Sequence, residues 1–254
     1  RDFCLSRGLG DVYKRQSSLF ADNGKELKLA SPDGTHEIVF YQKQVSPAVN
    51  ELCYRVDYKS QPVVNESRAG LELDNRIWEM ALGVRNLKQP ACWMDNLEVD
   101  SVTYQPETNL TWQPLYGERS SVRDHYRAGT LCLSKKDNSG YRLNIEVRAY
   151  NEGVAFRYFF PEHPKAIFHK VVGDLTEYAL PAGTKAWTEQ WAQAFFERLN
   201  IDDIKHPVER ALTFELPNGK WAALADADVD DWCLTKYLVS TDKTVSYTHL
   251  RAHE

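Results

Sequence analysis

The chain has 254 residues, 43% hydrophobic and 26% charged, with a formal net charge of -5, a balance that suits a globular protein with a sizeable core. An acidic chain without a basic stripe is poorly equipped to neutralise phosphates, which argues against nucleic acid as a partner. No apolar run reaches the roughly 20 residues that a spanning helix requires, so no membrane span is expected.

The ends read differently from the interior. Residues 1–16 (RDFCLSRGLGDVYKRQ) and 245–254 (VSYTHLRAHE) resemble translated sequencing-adapter read-through and lack the two-residue alternation found elsewhere. They are expected to be artefactual tails, leaving His249 and His253 without function and 17–244 as the natural segment, truncated at both ends. Just inside the first tail, Ser17 to Ala21 reads either as the end of a signal peptide or as an ordinary start.

Alternation of period two dominates the interior of the chain. Pro32-Asp33-Gly34 marks a turn. In 52–58, Leu52, Tyr54, Val56 and Tyr58 alternate with Cys53, Arg55 and Asp57. Asp137-Asn138-Ser139-Gly140 marks a further turn. Over 142–149, Leu143, Ile145, Val147 and Ala149 alternate with Arg142, Asn144, Glu146 and Arg148, a strand with one face on a core and one in water. Asn151-Glu152-Gly153, with a glycine free to take positive φ, then leads into Val154, Phe156, Tyr158 and Phe160, completing a hairpin. The spacing of Trp191, Ala194, Phe195 and Leu199 predicts a helix or long loop over 188–205. Leu212, Phe214 and Leu216 run into Pro217-Asn218-Gly219, and Trp221, Ala223 and Ala225 come next as a second hairpin. Each one-sided apolar face needs a cover, so the expectation is an all-β fold of packed antiparallel sheets, one large sandwich with no break between 22 and 240.

Setting aside Cys4, the cysteines Cys53, Cys92, Cys132 and Cys233 show no CxxC spacing, so no zinc site is indicated. They read mostly as small buried hydrophobes, although pairing in an oxidising compartment stays open.

Six ordered segments resemble the amino-terminal domain of glycoside hydrolase family 97. They are LKLASPDG at 27–34, GLEL at 70–73, WQPLYGERSSVRDHYRAGTLCL at 112–133, LNIEVRAYNEGVAFRYFFPE at 143–162, LTEYALP at 175–181 and LTFELPNGKWAALADADVDDW at 212–232. The resemblance implies a galactose-mutarotase-like super-sandwich, non-catalytic by itself, from a periplasmic or secreted exo-acting α-glucosidase or α-galactosidase. It implies as partners an α-linked oligosaccharide substrate and the enzyme's own (β/α)₈ barrel, which holds the catalytic carboxylates. It also implies an active-site calcium, to which the sandwich lends one glutamate.

Glu197, in AFFERLN, is the match for that metal ligand, with Glu189 as the alternative. Glu118, Arg123, Asp124, His125, Tyr126 and Trp187 are implied at the substrate rim or the domain boundary, although a hydrogen-bonded cluster at a strand end explains the 118–126 run equally well. Asp226, Asp228, Asp230 and Asp231 lack the spacing of a calcium loop and read as a solvated acidic strand end. Trp187, Trp191 and Trp232 fit a sugar-stacking platform or scattered core positions alike. The rival functional reading is a stand-alone carbohydrate-binding or cell-surface sandwich.

Overall fold

The computed structural model describes residues 25–74, 80–81, 83, 94–136, 140–163, 168–229, 232 and 235–239 in full, and the backbone alone of 20–22 and 248–253. In chain order the strands are β1 (Phe20–Asp22), β2 (Glu26–Ala30), β3 (His36–Ser46), β4 (Val49–Tyr58), β5 (Gln61–Arg68) and β6 (Leu71–Leu73). The long central strands come next: β7 (Leu97–Trp112), β8 (Val122–Lys135), β9 (Arg142–Tyr150) and β10 (Gly153–Phe159). Shorter ones complete the set: β11 (Val171–Asp174), β12 (Glu177–Leu180), β13 (Lys185–Thr188), β14 (Glu197–Asn200), β15 (Leu212–Glu215), β16 (Trp221–Leu224), β17 (Lys236–Val239) and β18 (Thr248–His253). Among the described residues, no helix is long and apolar enough to cross a membrane.

Two sheets form the body of the sandwich, one ordered β1-β7-β8-β9-β10 and the other β2-β3-β4-β5. Their facing residues meet in one apolar cluster: Leu27, Ile38, Phe40 and Tyr54 from the second sheet, Leu131, Leu133, Leu143, Ile145 and Val147 from the first. The alternation of β9 is realised without a slip, since Leu143, Ile145, Val147 and Ala149 are all buried while Arg142 is exposed. At one end of the sandwich the two sheets are pinned through their turns. The Asp33 backbone N–H donates to Asn151 Oδ1 at 3.1 Å. Asp33 Oδ1 in turn accepts hydrogen bonds from Ser31 Oγ and from the Thr35 backbone and hydroxyl, and these hold its carboxyl down at about 2.

Further sheets extend the body: β14-β13-β15-β16, β12-β18-β17 and the pair β11-β6. Tyr54 Oη donates to the Glu177 carbonyl at 2.6 Å and the Ala179 N–H to Ser67 Oγ at 2.8 Å, joining β12 to the second sheet. Phe214, Leu212, Ala186 and Tyr237 belong to the same apolar cluster. The backbone of β18, within the segment read as a tail, pairs with β12 and β17.

Three local expectations are corrected. Of the helix or long loop expected over 188–205, no α-helix forms and the loop holds only in part: after β13 come turns at 190–194, then β14 and a 3₁₀ helix at Ile201–Asp203. The edge of β13 needs a ladder partner, and β14 supplies it with the register Trp187↔Arg198 and Thr188↔Glu197; those non-local bonds outweigh a weak helical period. Gly153 takes no positive φ, because it pairs with Tyr150 as the first residue of β10 and the turn is Asn151-Glu152. In the β15–β16 hairpin the register Phe214↔Ala222 and Glu215↔Trp221 buries the Ala222 side of β16 and turns Trp221 and Ala223 outward. A turn one residue different from the expected count flips every side chain of a strand.

Candidate functional site

The sheet β14-β13-β15-β16 has two faces with different chemistry. Directly opposed residues of antiparallel strands share a face, and neighbours along a strand alternate. Thr188 and Glu197 are opposed, as are Trp187 and Arg198, so Glu197 and Trp187 project to opposite sides. On the Glu197 side the sheet borders an open cleft of about 510 Å³, lined among others by Glu189, Trp191, Phe195, Glu197, Asp203 and His206. Both glutamates named from the sequence therefore reach one cleft.

Glu197 is exposed, and among the described residues no side chain bonds its carboxylate; its backbone carbonyl accepts from Thr188 Oγ1 at 3.2 Å. Glu189 is half-buried, its carbonyl accepting the Glu209 N–H at 2.9 Å. Phe195, 93% exposed, stands at the cleft mouth with Trp191, which is also exposed. The lining thus combines aromatic surface with hard oxygen donors. Among the described residues no group of three or more His, Cys, Asp or Glu side chains is placed to hold a metal ion. Calcium takes six to eight oxygens, so the donors here fit one ligand of a shared shell and not a complete site.

The 118–126 run lies on a different sheet. Glu118 sits in the exposed loop between β7 and β8, and Arg123, Asp124, His125 and Tyr126 open β8. Alternation divides them. Arg123 Nε donates to Asn109 Oδ1 at 2.9 Å, His125 Nε2 meets Glu107 Oε1 at 2.7 Å, and Arg127 Nε donates to Glu107 Oε2 at 3.0 Å. Those bonds from His125 and Arg127 hold the Glu107 carboxyl below its ordinary value. His125 Nδ1 is buried and has no hydrogen-bond partner among the described residues. Tyr126 faces the other way, packed on Tyr150 with the Arg148 guanidinium 4.6 Å from its ring. Glu107 carries no signal in a single sequence. Only the strand pairing Asn109↔His125 brings it to His125.

Trp187 is half-buried and packs against Trp221, ring centroids 4.5 Å apart and planes tilted at 34°, a partner whose place in the sequence marks it only as a hairpin residue. Trp191 and Trp232 are exposed. Asp226 is not simply solvated, since it ion-pairs with Arg210 and accepts from Thr235 Oγ1 at 2.6 Å. Asp228 is exposed at φ 54°, and Asp230 and Asp231 lie outside the described residues. Cys53 and Cys132 are free thiols, and burial, reinforced by Glu66 and Glu51, pushes the Cys53 thiol up to about 12. Cys4, Cys92 and Cys233 lie outside the described residues.

Fold and cleft together define a large antiparallel super-sandwich domain. Residues 29–252 match the family described as Glycosyl-hydrolase 97 N-terminal, and the chain belongs to that family: it is the amino-terminal domain of a family 97 glycoside hydrolase. A retaining alpha-galactosidase of Bacteroides thetaiotaomicron is 27% identical over 162 residues, covering 64% of this chain and 20% of that protein. A family 97 glycoside hydrolase of Pseudoalteromonas sp. strain K8, solved in complex with panose and with acarbose, superposes at a TM-score of 0.73 with 22% identity, over 89% of this chain and 31% of its own. A beta-arabinopyranosidase superposes at 0.70 with 16% identity, over 89% of this chain and 35% of its own. The chain thus spans between a fifth and about a third of these relatives.

Proposed function

We propose that the chain is the non-catalytic amino-terminal sandwich of a secreted or periplasmic exo-acting α-glycosidase, an α-glucosidase or α-galactosidase, and that it shapes the rim of an active site built mainly by a (β/α)₈ barrel of the same polypeptide. Family membership supports the reading, and the observation that carries it is the cleft where Glu197, exposed and free of side-chain partners among the described residues, stands beside Trp191 and Phe195. Glycoside hydrolysis needs two carboxyl groups set on either side of the scissile bond. In this proposal the barrel holds that pair and the sandwich holds the sugar's surroundings: aromatic surface for its apolar faces, and oxygen donors for its hydroxyls.

Calcium would be held by Glu197, or by Glu189, together with oxygens from the barrel, and would fix the sandwich against the catalytic centre. Glu197→Gln in the full-length enzyme is expected to weaken calcium affinity roughly tenfold, about 1.4 kcal/mol. Calcium titration with an indicator dye checks this, and an unchanged affinity that falls only in Glu189→Gln would move the role to Glu189. The function itself is tested by assaying nitrophenyl α-glucoside and α-galactoside. The full-length enzyme should cleave one of them, and the 254-residue chain neither. Turnover by the chain alone would overturn the division of labour.

A further inference from the structure

The outward face of β14-β13-β15-β16, on the side away from Glu197, carries a layered arrangement that the cleft does not use. Arg198 is anchored by Glu215 Oε2 at 2.6 Å and sets its guanidinium 5.0 Å from the Trp187 ring centroid. Trp187 packs in turn against Trp221, with ring centroids 4.5 Å apart and planes inclined at 34°. Trp221 ends the arrangement. It is 57% exposed although it sits in a paired strand, its backbone held opposite Glu215.

We propose that Trp221 is the stacking surface of a carbohydrate-binding platform, taking a hexopyranose ring of an α-linked polysaccharide on the far side of the sheet from the Glu197 cleft. The choice of α-linked glycan rests on the proposed function; the platform itself does not. A rigid indole offers a flat apolar surface to the C–H face of a pyranose at little entropic cost, because it already packs against Trp187, which is itself held under the Arg198 guanidinium. Glu215, directly opposite Trp221, stands at its side as an acceptor for ring hydroxyls, and Thr213, Arg198 and Asn200 share the face. The apolar surface offered is the size of one indole, which suits a sugar ring. An indole buries about 150–250 Å², whereas a stable protein interface needs about 800 Å² per partner. The remaining neighbours on this face are polar or, like Ala223, small. The patch matches one or two sugar rings.

The test is native affinity electrophoresis of the 254-residue chain in gels cast with soluble starch or with galactomannan. The wild-type chain should be retarded by at least one glycan. Trp221→Ala should lose at least roughly fivefold in affinity, about 1 kcal/mol. Trp221→Tyr should retain most of it, and Phe159→Ala, an exposed aromatic on the edge strand β10 of another sheet, should bind like wild type. Circular dichroism of each variant separates lost binding from lost folding, and Trp221→Tyr keeps the test decisive if Trp221→Ala unfolds. No retardation of the wild type, or full retardation of a folded Trp221→Ala, overturns the proposal. Because the assay reads binding by the chain alone, it is independent of whether the longer enzyme hydrolyses α-glycosides.

Discussion

Gly129 sits where a side chain would find tight quarters. A Cβ there would lie 3.1 Å from Leu27 Cδ1 and 3.3 Å from Tyr104 Cδ1, where β8 passes under β2 in the centre of the sandwich. The crowding comes from neighbours in the opposite sheet and the next strand, so the backbone needs no unusual φ. Gly129→Ala should therefore push Leu27 or Tyr104 aside by a few tenths of an ångström, and where neither can give it costs up to about 1–3 kcal/mol, seen as a lower urea midpoint with unchanged slope. Asp226 makes a second point at this scale. An acidic run looks solvated in one dimension, yet the side chain ties Arg210 to Thr235 across separate segments.

At the scale of elements, the β15–β16 hairpin shows how much depends on a turn. Leu216 N–H donates to the Lys220 carbonyl at 2.8 Å, and Gly219, at φ 77°, supplies the left-handed step that closes the loop. That closure sets Glu215 opposite Trp221, so Leu212 and Phe214 are wholly buried while Thr213 faces out. Leu212→Ala should cost about 2–5 kcal/mol by leaving a cavity, and Thr213→Ala within about 0.5 kcal/mol. Equal losses in urea melts of the two variants would mean that the register is slipped. The adjoining 188–205 stretch shows the converse. Its near-helical spacing of Trp191, Ala194 and Phe195 buries no stripe, and the chain satisfies its backbone through the β13 ladder instead.

For the molecule as a whole, one apolar cluster runs through the body and into the flanking sheets, so local titrations are felt as global stability. His169 stacks on Phe160 at 4.3 Å, and burial, with His163 nearby, lowers its pKa to about 4. In the unfolded chain the imidazole protonates near 6.5. Between those values the unfolded state binds the extra proton, so stability rises with pH in this window and falls as the solution is acidified from about 6.5 to about 4. The full loss is at most about 3 kcal/mol. Urea midpoints measured at pH 7 and pH 5 should drop on acidification, and His169→Phe should flatten the difference; an unaltered drop in the variant would assign it elsewhere.

The strands and hairpins were legible because their information is local: four apolar residues at period two in β9, and turn residues at Pro32-Asp33-Gly34 and Pro217-Asn218-Gly219, need no knowledge of distant chain. The six ordered segments also carried the family, since their order and spacing survive where identity is low. Of the site, the sequence supplied Glu197, Glu189 and Trp187 as residues, but not their sides. Which face each occupies, that Glu189 and Glu197 share a cleft, that Glu107 meets His125, and that Trp187 and Trp221 pack together were decided only by the tertiary structure. Register and sheet order are set by hydrogen bonds and burial between segments far apart in the chain, and a pattern of period two reads the same from either face.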